Sequence, residues 1–154
     1  MLIPSLLALV VLGAAPAPAA PARAPAEALA REHYAFETDP ARLPSWLRGA
    51  LAHELGQDTL HMAAAGKPWN VSDAITDPSL PGRRLIQAAV GERYAVVHYE
   101  TGGVAHSFAV VVFAREGAGG ARVWSDSVRR AITDRAELER EIKDGTLWAK
   151  ARTP

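Results

Sequence analysis

The stretch from Arg84 to Val128 constrains the fold most. Its apolar residues recur at a period of two, and glycine-bearing breaks at Gly91-Glu92, Thr101-Gly102-Gly103 and Glu116 to Gly120 interrupt it at hairpin spacing. A chain patterned this way pairs with itself. Arg84 to Val90, Arg93 to Glu100, Val104 to Ala114 and Ala121 to Val128 are predicted to form a four-stranded antiparallel β-meander, with Gly91-Glu92 as a Gly-first type II′ turn. In the third strand Phe108, Val110 and Val112 fall on one parity and Ala109, Val111 and Phe113 on the other. Both faces of the sheet therefore need cover.

Helices flanking the meander supply that cover. Leu43, Trp46, Leu47, Ala50, Leu51 and Leu55 recur at three- and four-residue spacing, Pro44 suits a first helical turn and Gly56 a left-handed stop, so a helix is predicted over 44–55. Asp58 could cap a shorter helix over 59–65, completing a helical hairpin, and a weaker helical pattern over 27–37 ends at Asp39-Pro40. Residues 67–83 carry Pro68, Pro78 and Pro81 with little periodicity, and read as a long loop wrapping the domain. Asp134 with Glu137 opens a helix over 135–143 that places Leu138 and Ile142 on one face and stops at Gly145. The fold class is α+β: N-terminal helices, the meander, and a C-terminal helix packed on the sheet.

Before this domain, Leu2 to Gly13 is uncharged and largely apolar and runs into an Ala/Pro-rich stretch. The pattern is that of a secretory signal peptide, and its apolar run falls short of the roughly 20 residues a spanning helix needs. No permanent membrane anchor is expected. Cleavage after Ala19, Ala22 or Ala26 satisfies the small-residue rule, so 1–26 is read as signal and 27–154 as a single domain, exported to the periplasm or beyond. The apolar run has no Lys or Arg ahead of it, which departs from the usual pattern. Arg usage over Lys and abundant Ala suggest a bacterial source, which makes the Asn70-Val71-Ser72 glycosylation motif a coincidence.

Charge and cysteine content remove whole classes of function. The 154 residues balance 17 Lys and Arg against 17 Asp and Glu, which leaves no single-sign field for nucleic acid. The absence of Cys excludes disulfides, thiol nucleophiles, Cys-ligated zinc and iron–sulfur clusters. No Ser lies in Gly-x-Ser-x-Gly, no glycine pattern cradles phosphate, and His53-Glu54 lacks the second His of a zincin.

The meander gathers the remaining polar chemistry at one rim. Arg83, Arg84, Tyr99, Glu100, Arg129 and Arg130 are all predicted there, where forked guanidinium bonds could hold a carboxylate or phosphate, with Trp69 of the long loop as a further contact. His98, Glu100 and His106 form the alternative, a two-His-one-carboxylate set for zinc or iron. The turn decides: a three-residue loop sets His98 opposite His106, whereas a two-residue turn sends them to opposite faces. Structural histidines are the favoured reading. These features point to a small, exported, non-catalytic binding protein of the inhibitor, immunity or accessory kind, with a protein or small anionic ligand as partner and no cofactor. A metal-dependent enzyme is the alternative and a structural envelope protein the third reading.

Overall fold

A computed structural model of the chain describes residues 25–74 and 77–150, so the signal-like segment up to residue 24 lies outside the described residues. Strands β1 (Ala35–Glu37), β2 (Arg83–Val90), β3 (Tyr94–Thr101), β4 (Ser107–Glu116) and β5 (Gly119–Val128) form one antiparallel sheet in the order β1-β2-β3-β4-β5. The protein is thus α+β with five strands where four were expected. The added strand, β1, comes from the segment read as a weak helix. Only α1 (Ala26–Ala30) of that segment is helical, and beyond it Tyr34 and Phe36, spaced by two, both turn onto the core while Ala35 pairs with Val90. Strand pairing and aromatic burial outweigh a marginal helical propensity here.

Helix α2 (Ser45–Glu54) follows the prediction, with Pro44 preceding it and Gly56 left-handed at φ +66° beyond its end. The helix predicted over 59–65 does not form. Instead Ala63 makes a parallel bridge to Arg84: its N–H donates to the Arg83 carbonyl and its carbonyl accepts from Leu85, both at 2.9 Å. Short β1 leaves the outer edge of β2 bare beyond its three pairs, and satisfying those buried main-chain groups takes precedence over a local helix.

The sheet is covered on both faces. Trp46, Leu47 and Leu51 of α2 pack on Leu85, Val97, Tyr99, Val111 and Phe113. On the other face Ala89, Val96, Val110 and Val112 meet Leu29, Ile132, and Leu138 and Ile142 of α3 (Arg135–Lys143), with Leu147 and Trp148 of α4 (Thr146–Lys150). Helix α3 starts as predicted, with the Asp134 side chain accepting from the N–H groups of Ala136 and Glu137.

Two turns differ from expectation. Gly91 donates to the Tyr94 carbonyl at 2.8 Å, so the β2–β3 turn centres on Glu92-Arg93, and Gly91 does not take the positive φ of a II′ turn. A Cβ at Gly91 would sit 2.5 Å from Glu32 Oε2, which accepts the Glu92 N–H, so a larger residue there would have to displace that carboxylate. Between β3 and β4, Thr101 pairs with Ser107, leaving a five-residue loop, Gly102 to His106, neither of the two lengths anticipated.

Candidate functional site

Register fixes the fate of the three candidate ligands. His98 lies opposite Val110 rather than His106, fully buried beneath the segment that leads into α3. Its Nε2 accepts the Ile132 N–H at 3.0 Å, which requires the proton on Nδ1, and Nδ1–H then donates to the Ala109 carbonyl at 2.9 Å. Gln87 on the neighbouring strand donates to the Ile132 carbonyl at 2.7 Å. Both imidazole nitrogens of His98 are thus committed to the backbone, and burial holds its pKa below the ordinary 6.5. His98 cannot join Glu100 and His106 around a metal in this arrangement, and among the described residues no group of three His, Asp or Glu is arranged to hold one.

Glu100 and His106 do meet, with a third partner. Glu100 Oε1 accepts from Arg84 Nε at 2.6 Å and Oε2 from His106 Nε2 at 2.8 Å. The carboxylate is 6% exposed, whereas the side chains of Arg84 and His106 are 31% and 40% exposed. A buried anion therefore carries two half-open cationic or donor groups at the end of the sheet.

Aromatic rings fix their orientation. The Arg84 guanidinium lies 5.2 Å above the Trp69 ring, and His106 is held between Trp69 at 5.6 Å and Phe108 at 4.8 Å. Trp69 is itself buried, so it serves as the clamp behind the site and presents little surface to a ligand. Its loop is anchored by Asn70, whose Nδ2 donates to the carbonyls of Asp77 and Leu80 at 2.9 and 2.8 Å and whose N–H donates to the Pro81 carbonyl.

The remaining rim residues disperse. Tyr99 is buried on the α2 face, with its pKa raised by burial, and Arg83 flanks it on that face while Arg84 projects to the other. Arg130 forks onto Glu137 and approaches Glu141 of α3, so it ties β5 to the helix. Arg129 is exposed just past β5. Instead of four convergent arginines, the rim holds one guanidinium positioned by a buried carboxylate, Arg84; Arg83 faces the other side of the sheet and Arg129 lies three strands away, just past β5.

Two residues of this rim escaped sequence reasoning. Val71 and Val104 are 50% and 91% exposed and are the exposed large hydrophobics among the described residues. Their loops join through the Gly103 N–H, which donates to the Val71 carbonyl at 3.0 Å. The strand expected from Val104 begins only at Ser107, and a lone Val after two glycines carries no signal of its own. Comparison with family profiles, with curated proteins and with solved structures gives no match.

Proposed function

We propose that this is a small exported binding protein without catalytic activity, of the inhibitor, immunity or accessory kind, engaging an anionic group at the sheet rim around Arg84. One observation carries the reading: buried Glu100 holds Arg84 and His106 side by side, and among the described residues the terminal nitrogens of Arg84 and Nδ1 of His106 have no partner. A guanidinium fixed in place by a carboxylate and an indole loses little freedom when an anion arrives, which favours binding. The metal-dependent alternative loses support because His98 gives both ring nitrogens to the backbone. Export to the periplasm or outside the cell belongs to the same proposal and rests on the N-terminal sequence pattern.

Titration of isotope-labelled protein with a dicarboxylate should shift the Arg84 and His106 side-chain resonances together, and Arg84→Ala should abolish the response. Shifts scattered over the surface, or unchanged in the variant, would remove the rim from consideration.

A further inference from the structure

The strand order sets out three features along the rim. The β3–β4 loop bearing Val104 lies between β2, which begins at Arg83, and β5, which Arg129 follows. Arg83 and Arg129 therefore flank Val104, separated by three strand intervals, or about 14 Å. Neither arginine has an acidic partner among the described residues. The nearby carboxylates are mostly engaged: Glu100 by Arg84 and His106, Asp126 by the Ser127 N–H, Asp77 by Ser79. Asp73, exposed in the long loop, is the acid left over.

The apolar centre is held in place rather than loosely displayed. The Gly102 N–H donates to the Gly82 carbonyl and the Gly103 N–H to that of Val71, both at 3.0 Å, so the two loops carrying Val71 and Val104 form one hydrogen-bonded unit. A side chain 91% exposed on such a support contributes nothing to the core and is open to contact by a partner.

We infer that the rim docks an extended segment of a partner protein carrying two carboxylates four residues apart with an apolar side chain midway. In an extended chain residues i, i+2 and i+4 line one face, and four steps of about 3.3 Å span about 13 Å, close to the separation of Arg83 and Arg129. The acids would meet Arg83 and Arg129, and the apolar residue would settle on Val104 and Val71. This inference rests on the anion-binding reading of the rim and narrows its partner from any anion to a polypeptide of defined spacing.

The test uses three labelled dodecapeptides in fluorescence anisotropy: one centred on Asp-Ser-Leu-Ser-Asp, one with its Leu replaced by Ser, and one with the second Asp moved a position closer. The first should bind about tenfold more tightly than either other, the worth of one buried aliphatic side chain or one displaced charge contact. Val104→Ser should remove that preference while leaving the Leu-free peptide's affinity unchanged, and Arg83→Ala with Arg129→Ala should weaken all three. Val104 and Arg129 are exposed and Arg83 is half-buried outside the core, so these changes leave the core intact. Equal affinities insensitive to Val104→Ser would overturn the inference while leaving an anion-binding rim. Peptides that do not bind, beside a dicarboxylate that does, would overturn it in favour of a small ligand, and loss of both responses would overturn the rim reading as well.

Discussion

Glu100 and His106 are six residues apart in sequence and 2.8 Å apart at Oε2 and Nε2, because the five-residue loop between β3 and β4 swings His106 back over the carboxylate. The loop length thus does for His106 what strand register does for His98. One imidazole is delivered to the rim with a nitrogen to spare, and the other is closed into the core.

Replacing Glu100 by Gln should loosen the rim. The amide keeps the shape but offers one acceptor oxygen for two donors and removes the charge that holds Arg84, so stability should fall by about 1–2 kcal/mol in urea unfolding. Arg84 and His106 remain open to water, which limits the loss. Binding at the rim should weaken at the same time. A variant as stable and as competent as the parent would show that the carboxylate does not organise the site.

His98 should make the fold acid-sensitive. Its pKa is lowered in the folded protein by burial, so between the ordinary value near 6.5 and the depressed folded value the unfolded chain holds the extra proton. Stability from this group is fully present above about pH 6.5 and is lost progressively as pH falls below it. His98→Gln should be less stable at pH 7.5, since the Ile132 N–H and Ala109 carbonyl lose a well-placed partner, and should show a shallower decline between pH 7 and 5. An equal decline in both proteins would assign the acid sensitivity elsewhere.

Much of this was legible in the sequence, for identifiable reasons. Alternation in Tyr94 to Thr101 and the caps of α2 and α3 are local signals, read within a few residues, and those elements appear nearly where expected. What failed depended on distant chain. Ala63 is non-helical because β2, twenty residues on, has an unpaired edge, and the turn at Gly91 is backed by Glu32 from a distant segment, whose carboxylate accepts the Glu92 N–H. Arg84, Glu100 and His106 do meet at one end of the sheet, but Arg83 and Arg84 were expected to act together although consecutive strand residues face opposite ways. The aromatic clamp of Trp69 and Phe108 around His106 needed the path of a long loop, which no spacing rule supplies.

Helix α1 restricts where an exported chain can be cut. Ala26 packs against the core and the Pro25 carbonyl accepts the Leu29 N–H at 2.9 Å, so cleavage after Ala26 would remove the first turn's support. Mature protein from the periplasm or medium should begin at Ala20 or Arg23 by intact-mass measurement. A cytoplasmic chain retaining Met1 would contradict export, and a start at Glu27 would mean that α1 forms without its leading residues.

Two glycines should respond to alanine with opposite signs. At Gly102 a Cβ would lie 2.2 Å from the Asn70 carbonyl oxygen and 2.7 Å from that of Val71, and because both are main-chain atoms no side chain can rotate away. Gly102→Ala should push the 69–71 segment off the β3–β4 loop, breaking the Gly103 to Val71 hydrogen bond and withdrawing Trp69 from Arg84. The expected cost is about 1–3 kcal/mol, with faster hydrogen exchange at the Gly103 amide. At Gly49, inside α2, a Cβ would meet nothing within 4 Å, and its φ is not positive. Gly49→Ala should therefore stabilise the protein by about 0.5–1 kcal/mol through helix propensity and a less flexible unfolded chain, without touching the rim. Thermal melts of the two variants beside the parent decide the matter: a Gly102→Ala protein that melts with the parent and keeps its Gly103 amide protected would mean that the long loop does not lean on the hairpin, and the clamp around Arg84 and His106 would lose its support.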